Sequence, residues 1–241
     1  MSTHLTLGAV GALAGLAAVS SRRGGPNRSK GSHQRWDLYR DPAFLRWFQD
    51  SKVTDVRGAP LVVYHGTRRV FDQFSPDADS FTGAKTGALG HFFTDDALVA
   101  SSFAGDGSVM PVYLSIRNPL SLGWFDRGPK GHILRGKDGF SALREAIRST
   151  AGSETWEDVT VEDVLAWRDR VIQAGFDGLE IKTQMDAATI TYPNRHMGGA
   201  FYEPHTMWVA FRPGQVKSAT GNRGTWDPDD PRISFNRSSA P

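Results

Sequence analysis

The chain has 241 residues, of which 39% are hydrophobic, 22% charged and 11% aromatic, a balance that excludes a disordered or fibrous protein and fits one sizeable core or two small ones. Cysteine is absent, which removes a disulfide framework, a thiolate nucleophile and a cysteine-ligated zinc. The formal charge is only +2, and residues 22–40 alone contribute +5 through Arg22, Arg23, Arg28, Lys30, Arg35 and Arg40 against Asp37, so the rest is slightly acidic and a globally basic nucleic-acid binder is not indicated.

Residues 5–19 form a run of Leu, Ala, Gly and Val with a single Thr. The run is shorter than the roughly 20 apolar residues of a spanning helix, and it lacks a basic n-region. Gly11 and Gly15 form a small-xxx-small pair suited to helix contact in a membrane. The segment reads as a flexible leader, a piece of a longer polypeptide or a membrane-contacting element. Residues 20–35 are Ser-rich, Gly-rich and basic, the composition of a linker. Leader and linker together make up 1–35, one α+β domain is expected over 36–235, and 236–241 is a tail.

Asp41-Pro42 predicts a helix start, with Phe44, Leu45, Trp47 and Phe48 following on one face. Residues 55–59 read as a hairpin turn leading into a short buried strand, Leu61 to Tyr64, which is expected to end at His65-Gly66-Thr67. After a Gly-rich loop at 83–90, residues 91–94 read as a strand, and Asp95-Asp96 caps a helix through Phe103. A strand is expected over 109–116, an irregular excursion over 121–139, and a short amphipathic helix over 141–149. Thr160 to Asp163 resembles a capping box for a helix that Gly175 ends. Strands are expected at 177–181 and 207–211. No Gly-x-Gly-x-x-Gly follows a strand, which argues against a Rossmann domain.

His65 stands between a buried-looking strand and Gly66, where a missing side chain lets a ligand approach the backbone. A histidine satisfied at a strand end is the competing account. Phe92 and Phe93 alternate faces on a strand, so one is core and the other faces a cleft or solvent. Phe103 is most simply core. His196, Glu203 and His205 are too irregularly spaced to promise a metal site, and no metal is expected. Ser101 and Ser102 have no His or acid nearby in sequence to make a nucleophile. Residue types alone therefore reach an α+β enzyme or ligand-binding domain.

Five segments occur in order: FLRWFQDSKVTDVRGAPLVVYHGT (44–67), GHFFTDD (90–96), YLSIRNP (113–119), FDG (176–178) and VAFRPGQVKSATGNRGTWDP (209–228). Together they resemble the ADP-ribosyltransferase domain of phage and mobile-element polyvalent proteins. Residues 1–35 lie outside the resemblance, and 121–175 match it poorly. The resemblance implies the α+β ADP-ribosyltransferase fold of the poly(ADP-ribose) polymerases and diphtheria-type toxins: two small packed antiparallel-rich sheets, flanking helices and an NAD cleft.

It also implies roles. His65 takes the first place of a His-Tyr-Glu style triad and binds the nicotinamide-side ribose, while the Gly66 backbone grips the carboxamide. Phe92 stands where the family usually has Tyr, and Phe103 matches the aromatic on the opposite ring face. Thr67 and Phe93 complete the NAD-binding set. The third place falls at or near Met207, which cannot replace a carboxylate, and Glu203 is the nearest acid.

The implied activity is mono-ADP-ribosyl transfer from NAD, the co-substrate, to a host macromolecule, most simply a protein. The alternatives are an NAD glycohydrolase and an inactive module of this fold in a virion or interaction role. Virion association or delivery into the host cytoplasm, membrane contact through 5–19 and a minor engagement of nucleic acid by 22–40 complete the expectations.

Overall fold

Asp41 opens the first helix, α1 (Pro42–Phe48), as its sequence predicts. Its carboxylate accepts the Ala43 amide at 2.8 Å and the Phe44 amide at 3.4 Å, and Pro42 fills a position where no amide is needed. Phe44, Trp47 and Phe48 bury against Tyr113 and Trp226, and the Trp47 indole N–H donates to the Gly214 carbonyl at 2.9 Å. This aromatic packet ties the start of the domain to its last segment. The computed structural model describes residues 38, 40–75, 84–127, 133–183, 205–222 and 226–234. The apolar run 5–19, the linker 20–35, His196, Glu203 and the tail lie outside the described residues. The described residues fall within one compact unit.

The strands are β1 (Val63–Thr67), β2 (His91–Thr94), β3 (Ser108–Leu114), β4 (Pro119–Leu122), β5 (Trp124–Arg127), β6 (Ile133–Lys137), β7 (Gly178–Thr183), β8 (His205–Ala210) and β9 (Val216–Ser218). Seven of them form a sheet in the order β4-β7-β8-β2-β1-β3-β9, and β5 with β6 makes a separate hairpin. Among the described residues only β4 and β7 pair in parallel. The large sheet is nearly two sheets. β1 pairs with β3 over five positions and β2 with β8 over four, but β1 meets β2 at a single one, Tyr64 opposite Thr94. Beyond that rung the two halves part.

One face of the β7–β8–β2 half carries Leu179, Ile181, Met207 and Val209, which pack on α3 (Gly139–Ala151) and α4 (Val161–Gln173) through Phe140, Leu143, Ile147, Val164 and Trp167. The opposite face buries Phe93, Trp208 and Ala210 with Val63, Val112 and Leu114 of the other half. α2 (Ala97–Ala104) covers β1 and β3, and Asp96 caps it by accepting the Leu98 amide at 2.7 Å. The Thr160–Asp163 capping box forms in both directions, with the Asp163 amide donating to Thr160 Oγ1 at 3.1 Å and the Thr160 amide to Asp163 at 2.9 Å.

Two expectations are corrected, and one strand appears that none of them covers. His65-Gly66-Thr67 does not end β1 but belongs to it, because Met110, Val109 and Ser108 of β3 extend the ladder past the apolar run. The 121–139 stretch is not an irregular excursion: it completes β4 and holds the β5–β6 hairpin, whose Gly136 sits where a Cβ would strike the Phe125 ring. β9 has no apolar run to announce it. Its central residue is Lys217, almost fully buried, whose ammonium donates to the carbonyls of Asp230 at 2.6 Å and Arg232 at 2.9 Å.

Candidate functional site

The parting of β1 from β2 opens a cavity of about 510 Å³. His65, on β1, spans the gap. Its Nδ1 lies 2.8 Å from the Phe92 carbonyl oxygen of β2. A carbonyl only accepts, so Nδ1 carries the proton, and in the neutral ring Nε2 keeps its lone pair. A side chain thus replaces the ladder bond that the diverging backbones cannot make. Nε2 has no hydrogen-bond partner among the described residues.

Aromatic rings fix the imidazole. Phe74 meets it edge-on at 5.0 Å, Phe93 lies at 5.4 Å and Phe71 at 6.2 Å between ring centres. Phe74 also touches His91 at 4.7 Å. Burial among these rings lowers the pKa of His65 against the opposing effect of its backbone hydrogen bond. His91, at the start of β2, is pushed down to about 4 by burial, with the His65 and Arg168 charges acting in the same direction. Both imidazoles are therefore neutral in the fold at neutral pH.

A histidine held below its unfolded pKa binds its proton more readily in the unfolded chain. Its contribution to stability is complete above about pH 6.5 and is lost as pH falls toward the folded value. Unfolding free energy is expected to drop by about 2–3 kcal/mol between pH 6.5 and 4 on account of His91. Denaturant titrations at several pH values, with His91→Asn as the control that flattens the slope, check this. An unchanged slope in the variant would contradict it.

The two phenylalanines of β2 divide as their alternation predicts. Phe93 is core, 1% exposed beside the His65 ring. Phe92 is half-buried, packs on the α3–α4 side and lines the cavity. Phe103 of α2 is outside the core clusters and half-buried, and it lines the cavity too. Thr67 Oγ1 accepts the Arg69 amide at 3.0 Å, turning the chain into the rim segment. Met207 is 3% exposed, opposite Thr94, and contributes to the cavity wall.

The absent side chain of Gly66 has a packing cause: a Cβ there would coincide with the Ala100 carbonyl oxygen of α2. Gly90 is bare for a related reason, with φ +145° and a Cβ that would meet the Ala210 carbonyl. The preceding 85–89 stretch is a short 3-10 turn.

Three cations, Arg68, Arg69 and Arg144, line the cavity, and no Asp or Glu does so among the described residues. A second cavity, also about 510 Å³, sets Arg117 and Arg212 against Asp177 and Asp229 and contains no histidine. The first of these two combines an oriented imidazole, aromatic walls and three arginines, with no acidic side chain in its described lining. Among the described residues no group of His, Asp or Glu side chains converges to hold a metal ion. Sequence reasoning missed Phe71, Phe74, His91, Phe140 and Arg144. Phe71 and Phe74, two rings in an otherwise polar stretch after His65-Gly66-Thr67, were a signal in plain view.

The mixed α+β domain, whose sheet splits beside a histidine-bearing strand to open a cleft, fits the ADP-ribosyltransferase fold that the family match gives. Residues 55–226 match the family of ADP-ribosyltransferases in polyvalent proteins, and the chain belongs to it. Comparison with curated proteins and with solved structures gives no match.

Proposed function

We propose that the cleft binds NAD as co-substrate and that the chain transfers single ADP-ribose units to an acceptor macromolecule, most simply a host protein. The observation that carries this reading is His65, pinned through Nδ1 with Nε2 left to accept, in a cavity bounded by aromatic rings and arginines. Nε2 accepts a hydroxyl of the nicotinamide-side ribose, and the Gly66 backbone takes the carboxamide. Phe92 and Phe103 pack on the nicotinamide ring. Phe93 acts from beneath by holding His65.

The reaction breaks the bond between the ribose anomeric carbon and the nicotinamide nitrogen, whose electron pair leaves with neutral nicotinamide. Positive charge develops on the ribose, and an acceptor nucleophile adds to the same carbon and gives up its proton. Orientation by His65 and the rings supplies the positional part of the barrier reduction. A carboxylate is suited to the developing charge. The described wall of the cavity contains none, so Glu203, outside the described residues, is assigned that role. Glu203→Gln is expected to slow nicotinamide release about a hundredfold with NAD affinity retained; an unchanged rate removes Glu203 from the site.

The resemblance puts the usual acid position at or near Met207, which favours a second reading, an inactive module that binds NAD without cleaving it. The full chain incubated with NAD, with and without host lysate, separates the possibilities by free nicotinamide. Release that requires lysate identifies a transferase, release without it a glycohydrolase, and binding without release the inactive module. Delivery into the host or association with a virion, with membrane contact through 5–19, is proposed for the setting in which it acts.

A further inference from the structure

The α3 wall of the cleft carries Phe140 and Arg144, one helical turn apart, and both line the cavity. The Arg144 guanidinium carbon lies 5.0 Å from the centre of the Phe140 ring and 5.4 Å from that of Trp156. Contact with ring faces holds a guanidinium while leaving its in-plane N–H donors available.

Neighbouring cations are engaged otherwise. Arg148, on the next turn, donates to the Glu145 carboxylate at 3.1 and 2.8 Å and to the Ser153 and Glu154 carbonyls at 2.8 and 3.0 Å. Lys85, also beside Trp156, donates to the Trp156 and Glu157 carbonyls at 3.2 and 2.7 Å. Arg144 makes no hydrogen bond or ion pair among the described residues, and no carboxylate among them lines the cavity to neutralise it. A guanidinium positioned by two rings, with its donors unspent, suits a phosphate oxygen pair.

We propose that Arg144, held by Phe140 and Trp156, binds the diphosphate of the dinucleotide and so determines where the ADP half lies. The assignment rests on reading this cleft as the NAD site. His65 and its rings then hold the nicotinamide ribose, and α3 anchors the other half. Arg144 acts here as a binding residue and takes no part in bond breaking.

Calorimetric titration of the full chain with ADP, NAD and nicotinamide tests it, using wild type, Arg144→Ala and Arg144→Lys. Loss of a charged donor pair is expected to weaken ADP and NAD by about tenfold to a hundredfold, with nicotinamide affinity within about twofold of wild type. The lysine variant keeps the charge but not the planar fork, so it recovers part of the loss. The salt dependence of ADP binding falls in the alanine variant. Wild-type ADP affinity in Arg144→Ala overturns the proposal and leaves the NAD reading standing. Equal loss of nicotinamide and ADP affinity also overturns it, by giving Arg144 a structural role. Failure of wild type to bind either ADP or NAD removes the cleft reading and this assignment with it.

Discussion

His65→Ala is expected to reduce NAD-dependent nicotinamide release at least about a hundredfold while the protein stays folded. The imidazole does two things at once. Nδ1 closes the gap to Phe92 at 2.8 Å, and Nε2 is left as an acceptor aimed by that bond. Alanine removes both, so the ribose loses its partner and β1 and β2 lose the one side-chain hydrogen bond described between them. The fold survives because most of its hydrophobic packing lies elsewhere: the ring touches Phe74 and Phe93 of one cluster, while the remaining contacts of both clusters are made without it. Loss of one partly buried hydrogen bond costs about 1 kcal/mol, a fraction of the 5–15 kcal/mol usual for a domain. Nicotinamide release followed by chromatography, beside a thermal melt of each protein, makes the comparison. Wild-type turnover in a folded variant would remove His65 from the site. Burial lowers the His65 pKa, so any pH inflection from it is expected on the acid side of the ordinary histidine value.

The second large effect is structural. Gly66→Ala is expected to destabilise the domain by at least about 3 kcal/mol, because the new Cβ falls on the Ala100 carbonyl oxygen and close to the Ala104 amide. These are backbone atoms of α2, so no side-chain rotation relieves the overlap. The helix has to move off β1. Phe103 sits on that helix and His65 is the next residue on the strand, so the cleft distorts in the protein that remains folded. Gly152→Ala serves as the control. Gly152, unlike Gly66, has a positive φ, +71°, but a Cβ there meets nothing within 4 Å, so its cost is limited to the roughly 1 kcal/mol of a left-handed alanine. Urea unfolding of the three proteins measures the difference. A Gly66→Ala midpoint matching that of Gly152→Ala would show that α2 accommodates the methyl group and that the packing account fails.

Much of the local structure and the family membership was written in the order of residues along the chain. Asp41-Pro42, Asp96 and Thr160 with Asp163 specify three helix starts through hydrogen bonds that reach no further than three residues. His65-Gly66-Thr67, the GHFFTDD segment and the closing 209–228 segment, in that order, are enough to identify the family that residues 55–226 match. Other features depended on which strands became neighbours. That β1 extends through Thr67 was settled by its partner β3, and that the sheet parts after one rung was settled by the competing pairings of β1 with β3 and β2 with β8. The tautomer of His65 follows from a carbonyl on another strand. That Phe93 is core and Phe92 is not follows from which sheet face packs on the β1–β3 half and which one opens into the cavity. Phe74, the α3 pair Phe140 and Arg144, and Met207 converge on one cavity from three separate segments. A cap is satisfied within one turn of chain and can be read from adjacent letters, whereas a cavity wall is assembled by packing between distant segments and exists only once they meet.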